Sequence, residues 1–278
     1  METGKVVAKP IHKIINKEIT SANAPEYRMS INIKVNGLSL LIMHDQKIIQ
    51  ALNYNWQTPN WSSCVNNLNS IFNSINFIKF RFKTKFIFID SKQSMLIPDE
   101  FYSLSRQQQL LNKYLGNDNF IAHTQKLKNE NASLVFGVEK SVDSFIRKNF
   151  IGFKIFHNSA MLIDNVLSGS RNATVVSLRV DSSFFEIMIS NNSKLIAHNN
   201  FEYKTIDEFM FLLLSFVKQN GFDTNKVELI LCDKLLMSSP IAMQLQQYFV
   251  NIVEYKSDFS EEEAVFASLI KNYTSANN

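Results

Sequence analysis

The chain has 278 residues, 45% hydrophobic and 19% charged, enough for two domains of ordinary size around packed cores. Its net charge of +4 tolerates an acidic partner without demanding nucleic acid, which calls for cations clustered on one face. Seven glycines, where average usage gives about 20, count against loops that cradle phosphate through a closely approaching backbone.

Residues 1–27 are polar and lysine-bearing, interrupted by Pro10 and Pro25, and read as a flexible N-terminal arm. The spaced lysines from Lys5 to Lys17 do not read as a secretory signal. Ile31, Ile33 and Val35 alternate with Asn32 and Lys34, the period of a half-buried strand. A second strand over 38–43, a turn at His44-Asp45-Gln46-Lys47 and a third strand over 48–54 follow. Ser62 or Ser63 is placed to cap a helix with Val65, Leu68, Phe72 and Ile75 at helical spacing.

Residues 80–90 read as a strong strand. Lys79, Arg81, Lys83 and Lys85 alternate there with Phe80, Phe82 and Phe86. A strand with a solvated cationic face, or an edge strand guarded by lysines, accounts for this alternation. Contact with nucleic acid by charge and stacking is the alternative. Pro98-Asp99-Glu100 suits the start of another helix. Residues 119–149 read as an inserted subdomain, with strands over 120–126 and 133–138 and a helix over 141–149. A strand over 153–156 and a helix over 159–167, capped by Asn158 or Ser159, complete the first unit.

A boundary at Ser168-Gly169-Ser170-Arg171-Asn172 divides the chain into units 28–170 and 171–278. The second repeats the first: strands over 174–180, 184–189 and 194–203, then a helix that Thr205 and Glu208 open as a capping box and Gly221 ends. A strand over 227–232, a helix from Ser239-Pro240, a strand over 251–255 and a helix capped by Ser260 and Glu263 follow. The fold class expected is α/β: a duplicated ribonuclease-H-like unit with mixed five-stranded sheets and a small α+β insert.

The lysine-led third strand, Asn200-Phe201-Glu202-Tyr203 and Thr205-Ile206-Asp207-Glu208-Phe209 resemble a bacterial family of unknown function within the actin, sugar kinase and heat-shock chaperone superfamily. Residues 38–41, Ile97-Pro98-Asp99-Glu100 and residues 155–159 fit the same family. The insert is similar to the extra subdomain of the cell-division and pilus-assembly actin homologues. The resemblance implies ATP and magnesium held by acid-and-glycine hairpin loops facing an interdomain cleft. Here those loops are Asn36-Gly37, with Asn36 at the place of an acid, and Asp181-Ser182-Ser183, and Cys232-Asp233-Lys234 has no glycine pair. A β-carbon at such positions obstructs close approach to phosphate. The expected function is therefore a non-catalytic degenerate ATPase that binds another protein, with no cofactor.

One alternative is an ATP-binding protein using Asn36, Gly37, Asp181, Ser182 and Ser183 around the cleft. Another is a metal-dependent nuclease using Asp181, Glu208 and Asp233, whose chain order matches the acids of a ribonuclease-H-like two-metal site. Capping and turn roles account for all three acids without a metal. His12, His44, His123, His157 and His198 make no metal-ligand spacing, and Cys64 and Cys232 make neither a metal signature nor a disulfide framework. Two such thiols suit a reducing cytoplasm. The apolar run 209–217 falls short of the ~20 residues of a membrane span.

Overall fold

The computed structural model describes residues 9–57, 60–169, 172–181, 184–232, 239–253, 260, 263 and 265–277. In chain order the first elements are β1 (His12–Ile15), β2 (Arg28–Lys34), β3 (Gly37–His44), β4 (Lys47–Asn55), α1 (Trp61–Ser74) and β5 (Thr84–Asp90). Next come β6 (Ser94–Pro98), α2 (Gln107–Leu115), β7 (Phe120–Lys126), β8 (Ala132–Glu139), α3 (Lys140–Asn149), β9 (Phe153–His157) and α4 (Asn158–Leu167). The rest are β10 (Thr174–Val180), β11 (Phe184–Asn191), β12 (Lys194–Glu202), α5 (Ile206–Gln219), β13 (Glu228–Leu231), α6 (Pro240–Tyr248), β14 (Asn251–Val253) and α7 (Ala267–Asn277).

The first sheet has the order β1-β4-β3-β2-β5-β9 and the second β12-β11-β10-β13-β14. Without β1 the two orders are the same: an antiparallel three-strand meander followed by two parallel strands. This is the duplicated topology that the hydrophobic periods predict. A third sheet, β6-β8-β7, forms the insert.

The two compact units are Met1–Lys126 with Ser133–Met161 and Phe259–Asn278, and Leu127–Ala132 with Leu162–Asp258. This differs from a cut at residue 170. The division falls inside α4, and the last segment belongs with the first unit. The physical reason is α7: its Phe266, Leu269, Ile270 and Tyr273 are buried with Leu41, Met43, Phe86 and Phe88 of the first sheet. In the second unit, Phe209, Leu213 and Val217 of α5 and Leu245 of α6 pack on Val176, Leu178, Phe185 and Ile187.

Several local expectations shift. Of the expected arm, residues 12–15 form β1, which pairs antiparallel with β4 and supplies partners to an otherwise open edge. Asn60, not Ser62 or Ser63, caps α1, its side chain accepting from the Ser63 N–H. The expected strand at 80–90 starts only at Thr84. Residues 76–79 form a 3-10 turn instead, and β5 lies between β2 and β9, away from any edge. Pro98 ends β6, and the helix expected there begins at Gln107. Two expected caps of the later helices hold: Thr205 accepts from the Glu208 N–H and Ser239 from the Ala242 N–H. Ser260 and Glu263 bond reciprocally, but the last helix, α7, starts only at Ala267.

Candidate functional site

The place to look is the first hairpin of each unit. In the first, Lys34 pairs with Gly37 across a two-residue turn, Val35-Asn36. In the second, Val180 pairs with Phe185 and the Asp181 N–H donates to the Phe184 carbonyl at 2.9 Å. Aligning the pairings puts Lys34 at the place of Asp181. Lys34 thus matches Asp181, and Asn36 sits two places beyond the end of β2. The same alignment matches Ser30 to Ser177, both fully buried in the first strand of their units, and Asn32 to Arg179.

The first turn is closed on both sides. The Trp56 indole N–H donates to the Val35 carbonyl at 2.8 Å and the Trp56 backbone N–H to the Asn36 carbonyl at 2.9 Å. A β-carbon on Gly37 would stand 2.8 Å from the Tyr54 carbonyl. This glycine is therefore explained by close approach to β4, with no need of a phosphate. Lys34 Nζ lies 3.1 Å from Asp90 Oδ2, and the Asp90 side chain is 1% exposed. The two residues are register partners on β2 and β5.

Around the carboxyl ends of β2, β5 and β9 lies a buried polar cluster that the sequence reading did not find. Asn158 Nδ2 donates to Asn32 Oδ1 at 3.1 Å, and Asn272 Nδ2 donates to Asn158 Oδ1 at 2.9 Å. His157, fully buried, accepts the Ser159 N–H on Nδ1 at 3.2 Å, so it is His157 that caps α4. That bond leaves the proton on Nε2, which lies 3.4 Å from Ser91 Oγ. A histidine in this tautomer donates to the serine and cannot take its proton, so Ser91 is not an activated nucleophile. In the insert, buried Asp143 accepts from His123 Nε2 at 2.8 Å and Arg147 Nε at 2.6 Å.

In the second unit Asp181 is half-buried, and its carbonyl accepts from the Tyr203 hydroxyl at 2.6 Å. Burial, with Asp181 close by, raises the Tyr203 hydroxyl above its ordinary range. Glu208 is held at the α5 N-terminus, where its carboxylate accepts the Lys204 N–H at 2.9 Å. Ser182, Ser183 and Asp233 lie outside the described residues. Among the described residues no three His, Cys, Asp or Glu side chains converge as a metal set, and no helix is long and apolar enough to cross a membrane.

One strongly charged group on this unit escaped the sequence reading. Glu186, fully buried, accepts from Arg179 Nε at 2.8 Å and His198 Nε2 at 2.7 Å. The signal was present: a two-residue loop at Ser182-Ser183 puts residue 179 opposite 186, and the structure has that register. A buried charge set of this kind is weak evidence for stability, because desolvation offsets the Coulombic gain.

The sheet orders and hairpins define a protein of the actin-like ATPase fold. The structure superimposes on that of a Bacteroides thetaiotaomicron VPI-5482 protein with actin-like ATPase fold and unknown function. The TM-score is 0.79 at 21% identity, covering 91% of this chain and 99% of that one. The ethanolamine utilization protein EutJ of Carboxydothermus hydrogenoformans matches with TM-score 0.50 at 6% identity, over 93% and 91% of the two chains. No curated protein matches the sequence. The chain belongs to the family described as "Protein of unknown function (DUF3822)", which matches residues 16–252.

Proposed function

We propose that this chain is a non-catalytic, degenerate member of the actin-like ATPase fold that works by binding another protein. The observation that carries the reading is Lys34 at the acid's place, its ammonium committed to buried Asp90, in a turn whose carbonyls are held by Trp56. A phosphate loop offers free N–H groups and an acid for the metal. This hairpin has a lysine in place of the acid. Phe101 and Leu104, each 70% exposed on the segment between β6 and α2, support a protein contact through the insert.

Calorimetric titration with Mg-ATP tests the first half. No saturable heat up to millimolar nucleotide is expected, and saturable binding abolished by Asp181→Asn would instead establish the ATP-binding alternative. The second half is tested by Phe101→Ser with Leu104→Ser. The double variant should keep the wild-type melting temperature and lose a partner that co-purifies stoichiometrically with the unmodified protein. Retention of that partner by the variant would move the contact elsewhere.

A further inference from the structure

The amino-terminal ends of β5 and β9 carry a concentration of positive charge. No Asp or Glu occurs between Asp45 and Asp90, or between Asp143 and Asp164. These two stretches meet as neighbouring parallel strands, with Lys85 opposite Phe153 and Phe86 opposite Lys154. Lys79, Arg81 and Lys83 lead into β5, Lys148 lies in the last turn of α3 just before β9, and Lys154 lies within β9; all five are exposed. None of the five makes an ion pair among the described residues, whereas Lys126, Lys140, Arg147 and Lys226 each do. Asp143 is already engaged by His123 and Arg147. Among the described residues the other acids on this side, Glu18, Glu26 and Asp45, lie in the segment from β1 to β2 and in the β3–β4 turn.

At the tip of this pole stands Ile151, 89% exposed. Gly152, at φ +68°, makes the turn into β9 that carries it. Ile151 and Lys83 each stand two residues before the paired Phe153 and Lys85. The aromatic rings of the tract face the other way: Phe82 is buried and Phe77 and Phe80 are half-buried. Rings so placed are not available to stack on bases. What the surface offers is one exposed aliphatic side chain on the turn into β9, with exposed cations, none ion-paired among the described residues, in the neighbouring segments of chain. That combination fits an anionic bilayer, with ammonium and guanidinium groups on headgroup phosphates and the aliphatic chain at the acyl boundary.

We propose that this pole of the first unit is a peripheral docking surface for an anionic lipid membrane, centred on Ile151 and the cations Lys79, Arg81, Lys83, Lys148 and Lys154. It uses none of the hairpin residues, so it stands or falls separately from the degenerate-ATPase reading. The experiment is flotation of the full chain with vesicles of phosphatidylcholine and phosphatidylglycerol in equal amounts, against pure phosphatidylcholine. Wild type should float with the anionic vesicles alone and be released by salt. Neutralising Lys79, Arg81 and Lys83 together to Gln should weaken partitioning about a hundredfold, from about fivefold per cation. Ile151→Ser should weaken it several-fold with salt sensitivity retained. The substituted side chains are exposed, so both variants should keep the wild-type melting temperature, which is measured alongside. No flotation of wild type, flotation unaffected by either variant, or charge-dependent binding of an oligonucleotide in preference to the vesicles would overturn the proposal.

Discussion

Cys64 and Asp164 show how burial dominates side-chain chemistry. Burial, with the charge of Glu139 adding to it, pushes the Cys64 thiol from 9.0 up to about 12. A rise of that size cuts the reactive thiolate about a thousandfold at neutral pH. Ellman's reagent should therefore leave Cys64 untouched in the native protein and titrate it on unfolding, with half-buried Cys232 as the internal comparison. For Asp164, burial raises the carboxyl above its ordinary value of 3.8, against the pull of the Lys128 and Asn129 hydrogen bonds. The folded state then holds this proton more tightly than the unfolded chain. Its contribution to stability falls as pH rises from 3.8 through the raised value. Asp164→Asn keeps an acceptor for the Lys128 N–H, 2.8 Å away in the wild type, and removes that slope. The melting temperature of the variant relative to wild type should thus rise between about pH 4 and about pH 7. An unchanged difference across that range would show that Asp164 ionises freely.

Among the elements, the starts of α5 and α6 were legible from local caps, whereas at α1 the cap is Asn60, not Ser62 or Ser63. Thr205 and Glu208 stand three residues apart, and their hydrogen bonds to the first turn of α5 follow from that spacing. Thr205→Ala should cost about 1 kcal/mol in chemical denaturation. The cap of α4 was not legible in the same way, because the acceptor is the ring nitrogen of His157, a residue type outside the usual capping set. The asparagine chain was less legible still. Asn32, Asn158 and Asn272 come from β2, α4 and α7, and only the fold brings them together. Removing the middle member leaves one buried acceptor and one buried donor unanswered. Asn158→Ala should cost about 2–4 kcal/mol, well beyond the loss at Thr205. A loss no larger than that at Thr205 would mean that water replaces the missing amide.

At the scale of the molecule, the two units do not share the chain as two consecutive halves. Phe266, Leu269, Ile270 and Tyr273 of α7 are buried in the first unit, although α7 follows the last strand of the second. Phe266→Ala alone should cost about 3–5 kcal/mol. Ending the chain after Asp258 should remove hydrogen-exchange protection from β3 and β5 while β10 and β11 keep theirs. Equal loss in both sheets would show that the second unit depends on α7 as well.

Strand periods, hairpin turns and local caps were readable from sequence because each is settled within a few residues. Alternation sets which face of β2 or β10 is apolar, and a two-residue turn sets the register. The exact closing pairs were not read from sequence: it suits turns at Asn36-Gly37 and Asp181-Ser182-Ser183, whereas the structure pairs Lys34 with Gly37 and Arg179 with Glu186. Tertiary structure alone decided that β5 is an inner strand, that Asp90 neutralises Lys34, that Trp56 seals the first turn and that α7 crosses to the earlier unit. Each of these joins residues far apart in the chain, and long-range packing, which closes such contacts, leaves no periodic mark on the sequence.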